Sequence, residues 1–169
     1  MKNVVEKDIW NWVQNYIEVN HEFYNYKFPP CPYAKSARLK NSVEVSAYEK
    51  DYIKFIKNEI IFLLKNKKIT TKILTFPNYF KFNICLKFLI NNINKKLIKR
   101  DYYIQYGNAV GTNSLYDGGP YFIIIINKLS DVLDAHQSLI KTEYYSFWSK
   151  KHYDVVVTRR QKFFEKYKK

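Results

Sequence analysis

Cys31 is the residue of this chain best placed to do chemistry. It stands in Phe28-Pro29-Pro30-Cys31-Pro32-Tyr33-Ala34-Lys35, where three prolines stiffen the backbone around one thiol. Pro32 suits the first position of a helix, where a missing amide hydrogen costs nothing. A short helix is therefore expected over Tyr33 to Leu39, with Cys31 as its N-cap. The positive end of a helix favours thiolate over thiol, and Lys35 and Arg38 fall one and two turns into the same helix. The chemistry these residues point to is a lowered-pKa thiolate that attacks a disulfide or an electrophilic carbon, with Lys35 or Arg38 assisting. A cysteine packed under the prolines as a small apolar group is the structural alternative.

A histidine base for Cys31 would have to be His21, His136 or His152, the only imidazoles present. His136 is the candidate catalytic residue among them, although its neighbours Leu133, Leu139 and Ile140 equally suit a satisfied core histidine. Asp131 and Asp134 lie three residues apart, but no HxxxH or CxxC spacing accompanies them, so no metal is expected. All four glycines, Gly107, Gly111, Gly118 and Gly119, fall in one loop that closes at Pro120. Glycine is used where backbone takes positive φ or approaches something closely, so this loop reads either as a plain turn or as the wall of a site. Tyr33, Asn108, Gly118 and Gly119 are the candidate substrate-binding residues. The loop lacks both GxGxxG and GxxxxGK[ST], which excludes the two standard nucleotide cradles. No cofactor is expected, with glutathione the conceivable thiol partner.

Hydrophobic spacing places the elements that must hold this turn. Val5, Ile9, Trp12, Val13, Tyr16 and Ile17 predict an amphipathic helix over residues 5 to about 19, and Asn20 to Tyr26 reads as a packed loop or short strand. Val43, Val45 and Ala47 alternate as a half-buried strand, followed by a helix with Ile53, Ile56, Ile60, Leu63 and Leu64 inward. Thr70 to Phe76 is a second strand. Phe80, Ile84, Cys85, Phe88, Leu89 and Leu97 then predict a helix with Cys85 in its core face. Asp101 to Tyr106 is extended, and Tyr121 to Ile126 is an unbroken apolar run expected at the centre of the sheet. Ser130 is expected to cap the next helix, and an aromatic, basic tail follows it. This order calls for an α/β sandwich, with helices on a mixed sheet of about four strands and extra helices at both ends.

At 169 residues the chain fits one domain, 1–169, with 150–169 as a basic helical tail. A hydrophobic fraction of 47% and an aromatic fraction of 18% exclude a disordered chain. No apolar run approaches the roughly 20 residues of a membrane span. The first six residues do not resemble a secretory signal and two cysteines make no disulfide framework, so a cytoplasmic, reducing setting is expected and a membrane partner is not. The net charge of +14 invites a nucleic-acid partner through counterion release. Yet only Arg38, Arg100, Arg159 and Arg160 are arginines, and the abundant Lys, Asn, Ile, Tyr and Phe all have AT-rich codons. Genome composition can therefore account for much of the basicity.

A Trp-bearing helix, Cys31-Pro32-Tyr33-Ala34, then Thr70-Thr71-Lys72-Ile73-Leu74, Tyr103-Ile104-Gln105 and an apolar strand entering Leu129-Ser130 together resemble a bacterial family, domain of unknown function 1415. The resemblance spans residues 8 to about 136. Where that family carries Phe-His-Pro, this chain has Tyr106-Gly107-Asn108. Cys31-Pro32-Tyr33-Ala34 also resembles the active-site turn of glutaredoxins and omega-class glutathione transferases, with Ala34 in place of the resolving cysteine of the dithiol form. That resemblance implies thiol transfer through a mixed disulfide with a small thiol. Two other classes stay open: a non-enzymatic accessory protein with Tyr144 to Trp148 as its contact surface, and a single-strand binder whose tyrosines and phenylalanines stack on bases.

Overall fold

The computed structural model describes residues 2–77, 84–106 and 121–167. Four strands form its sheet: β1 Val43–Ala47, β2 Thr71–Pro77, β3 Tyr102–Tyr106 and β4 Tyr121–Lys128. Their spatial order is β1-β2-β4-β3, with β1 and β2 parallel and β4 antiparallel to both neighbours, so the sheet is mixed. β4 is interior, as its apolar run predicts, because a strand with β-branched residues on both faces must be covered on both. Ile124 and Ile126 are buried on one face while Ile123 packs on the other.

Two helices cover the first face. α3, Tyr52–Lys65, and α4, Ile84–Leu97, bring Ile56, Ile60 and Leu63 together with Leu86, Ile90 and Leu97 over Leu74, Phe76, Ile104, Ile124 and Ile126. On the opposite face α1, Lys2–Trp12, continues into a π-helical turn at Val13–Ile17 and sets Ile9 and Val13 against Val45 and Ile73. The Tyr121 hydroxyl donates to Asp8 at 2.9 Å and fixes α1 to the start of β4. The segment after α1, expected as loop or short strand, forms a 3-10 turn at Glu22–Tyr24, followed by Asn25 and Tyr26 at φ 49° and 58°.

α4 is rotated from the phase its sequence suggests. Leu86, Ile90, Asn94 and Leu97 are its buried residues, while Cys85 is exposed and Ile84 and Phe88 are each 63% exposed. The sequence offers two apolar stripes about half a turn apart. The one that wins lets the Asn94 side chain satisfy both backbone groups of Ile104, donating at 3.0 Å and accepting at 2.8 Å. Phe80, expected on this helix, lies outside the described residues.

α5 spans Leu129–Ile140, and Ser130 is inside it rather than its cap. The capping carboxylate comes from Asp101, which accepts the Ser130 amide at 2.9 Å and the Ser130 hydroxyl at 2.6 Å from a backbone at φ 63°. The tail runs through a 3-10 turn at Tyr144–Phe147, α6 at Lys150–Tyr153, a π-helical turn at Asp154–Thr158 and α7 at Arg159–Tyr167. It lies against the body. Tyr144 stacks on Tyr24 with ring centroids 4.7 Å apart, and Phe163 meets Tyr103 edge-on at 6.1 Å.

Candidate functional site

The Cys31 turn is clasped between the end of the first helical segment and the tail. The Cys31 amide donates to the Ile17 carbonyl at 3.2 Å, and the Tyr144 hydroxyl donates to the Pro30 carbonyl. Tyr24, fully buried beneath the turn, stacks on Tyr144 and accepts from the Trp148 indole at 2.9 Å. The helix that follows, α2, is Ala34–Leu39, and its N-cap is Tyr33. Cys31 is thus not the cap but the start of the preceding turn, where its carbonyl accepts the Ala34 amide at 3.1 Å. Six residues also give α2 only a weak dipole.

The electrostatics of the thiol follow from this packing. Burial pushes the Cys31 pKa above its ordinary value and the Glu18 carboxylate adds to the rise, while the backbone amides of Tyr33 and Ala34 pull the other way. Arg38 is engaged elsewhere. It forms a bidentate pair with Glu18 at 2.8 and 2.7 Å, which raises its own pKa and pins α2 to the end of the first helical segment. Glu18 takes up the cation expected to help the thiol. Lys35 is exposed and lines a shallow, open depression with Pro32, Ser36, Leu39 and Lys40, of which Cys31 is not a wall.

His136 belongs to a different cluster. It is 2% exposed, its Nδ1 shares a hydrogen bond with the Tyr145 hydroxyl at 2.9 Å, and its ring lies 6.2 Å from that of Tyr153. Burial, then the nearby Arg160 cation, depresses its pKa. Burial pushes Tyr145 up to about 12. Tyr33 ties the two regions, donating its hydroxyl to the Ala135 carbonyl at 3.2 Å. His21 accepts the Phe23 amide at 3.1 Å, and His152 packs edge-on against Trp148 at 4.4 Å with its pKa lowered by burial. Asn108, Gly118 and Gly119 lie outside the described residues. Among the described residues no cluster of three or more His, Cys, Asp or Glu side chains could hold a metal.

Two features had no counterpart in the motif reading. The first is Lys72, 1% exposed on β2, whose ammonium meets Glu59 at 2.8 Å and Glu44 at 3.0 Å and sits 4.0 Å from the centre of the Phe62 ring. The second is where the charge resides. Residues 52–100 contain twelve of the 29 basic residues and one of the 15 acidic ones, and so account for eleven of the net fourteen positive charges. That single acid is Glu59, consumed by Lys72. Counting charge along the chain rather than over the whole of it would have found this. The chain matches no protein-family model, no curated protein and no solved structure.

Proposed function

We propose that this chain is a non-enzymatic interaction protein that engages a polyanionic partner through the α3–α4 surface, with the Cys-Pro-Tyr-Ala turn serving as a structural clasp. The observation that carries the reading is the charge of residues 52–100, twelve basic residues against one acidic; six of the lysines stand on α3 and α4, and the one carboxylate of these helices, Glu59, is taken up by Lys72. A composition bias alone would spread lysine over the whole surface. The turn supports the same reading, because the thiol is pushed toward its neutral form and Arg38 is held by Glu18. Retention on heparin–agarose tests it. Reversing Lys87, Lys95 and Lys96 to Glu should lower the eluting salt concentration markedly, whereas reversing Lys150, Lys151 and Lys162 in the tail should lower it little. The opposite ranking would refute the reading.

A second reading, thiol transfer through Cys31 with glutathione as the small thiol, is supported by the backbone amides of Tyr33 and Ala34, which pull the thiol pKa downward against its burial. Incubation with glutathione disulfide at neutral pH, followed by mass, tests it. A mixed disulfide forming at Cys31 faster than at the exposed Cys85 would support this reading over the first.

A further inference from the structure

Resting on that reading, we infer that the polyanion met by the α3–α4 face is the surface of an anionic lipid bilayer. The face is not uniformly polar. Ile84 and Phe88, one turn apart on α4 and each 63% exposed, stand outward among the lysines, and Ile61 on α3 is 50% exposed. On the α4 helical wheel Ile84, Phe88 and Lys95 share the side opposite Leu86, Ile90 and Leu97, and on the α3 wheel Ile61 lies between Lys57 and Lys54, on the side away from Ile56, Ile60 and Leu63. Ile84 and Ile61 gain nothing from a sugar–phosphate backbone and cannot stack on bases, which leaves Phe88 as the one outward ring of the three. At a headgroup boundary the same side chains leave water while the lysines reach the phosphates.

The cations themselves point the same way. All six basic residues of α3 and α4 are lysines. Lysine gives a point charge on a long apolar stem, suited to diffuse attraction and to covering the boundary, without the fork that reads phosphate or base geometry. No helix among the described residues is long and apolar enough to cross a membrane, so the contact is one of lying on the surface. It uses two helices whose inner sides are already committed to the core.

Cosedimentation with vesicles of phosphatidylcholine alone, and of phosphatidylcholine doped with phosphatidylserine, decides the matter alongside the heparin measurement. The wild-type chain should partition onto the anionic vesicles only, and less so as salt rises. Each lysine reversed should reduce partitioning at least about fivefold. The double variant Ile84→Ser, Phe88→Ser alters exposed side chains, and an unchanged melting temperature would verify its fold. It should lose most vesicle binding while keeping its retention on heparin. Heparin retention without vesicle binding would overturn the bilayer inference and leave the polyanion reading standing. Equal binding to neutral vesicles, or a double variant that partitions like the wild type, would also overturn the inference. Absence of binding to both vesicles and heparin would remove the polyanion reading with it.

Discussion

The Asn94 carboxamide does for Ile104 what a neighbouring strand would do, accepting its N–H at 2.8 Å and donating to its C=O at 3.0 Å. β3 is an edge strand, and a helix side chain closes its backbone at mid-length. Asn94→Leu keeps the volume but leaves both groups unpaired in a buried place, at a cost of about 1–3 kcal/mol for each group. Chemical denaturation should show a loss of at least about 2 kcal/mol, together with concentration-dependent association through the opened edge. A variant as stable as the wild type would show that the pairing contributes nothing.

Lys72 has two carboxylate partners of unequal burial. The Glu59 side chain is 18% exposed and that of Glu44 is 37% exposed. Water screens the second pair more, so Glu59→Gln should destabilise more than Glu44→Gln, with the loss bounded by the roughly 3–5 kcal/mol of a broken buried pair. Lys72→Met, which removes the buried charge and keeps an unbranched apolar side chain in its place, should cost less than the double variant lacking both glutamates. Urea midpoints at constant slope would rank all four.

His136 and His152 are held neutral by burial, so their pKa values in the fold lie below the unfolded value. The unfolded chain then takes up protons that the folded chain refuses. Stability is full above about pH 6.5 and falls as pH drops through that value toward the depressed ones. His136→Gln should flatten this acid limb. At the other end Tyr145, pushed up to about 12, contributes stability that is complete below about pH 10 and is lost as pH rises from there to its folded value. Tyr145→Phe should remove that alkaline loss. Melting temperatures across the range would check both limbs, and an acid limb unaltered by His136→Gln would assign it to other groups.

The two cysteines should differ in reactivity in the reverse of their motif order. Cys85 is exposed on α4 whereas the Cys31 thiol is held neutral by burial. Iodoacetamide at neutral pH should label Cys85 first, and Cys31 only at a pH above the ordinary thiol value of roughly 8.5. Peptide mass mapping of wild type, Cys31→Ser and Cys85→Ser follows each site separately. Prior labelling of Cys31 at neutral pH would contradict the clasp role.

Legibility in the sequence tracked how local the deciding interaction is. The run from Tyr121 to Ile126 announces an interior strand because its β-branched residues fill both faces, and helical period places Ile56, Ile60 and Leu63 of α3 inward, whereas Ile53 and Leu64, expected with them, are each 38% exposed at the edges of the stripe. The phase of α4 is not set locally, because two stripes compete and the one buried depends on Asn94 meeting Ile104 across the fold. The cap of α5 comes from Asp101, in another element and at a positive φ, so no local motif could reveal it. The Cys31 turn is visible as a turn. Its electrostatics are not, because Glu18 lies twenty positions from the Arg38 it takes up. The excess of positive charge between residues 52 and 100 is legible as a distribution along the chain, which the total of +14 conceals.

The clasp around Cys31 also sets an order of events in synthesis. Its anchors are Tyr144 on Pro30 and Trp148 on Tyr24, separated by 114 and 124 positions. β1, α3 and β2 can pair soon after they leave the ribosome, while the proline turn waits for the tail. At roughly 5–20 residues per second, the ribosome needs on the order of ten seconds between emitting the two halves of the clasp. Over that interval Tyr24 and Phe28 are bare aromatic surface on a nascent chain. A stop codon or proteolytic cut just ahead of Tyr144 would prolong that exposure indefinitely, leaving the sheet able to form and the turn held from one side only, by Ile17 and Glu18.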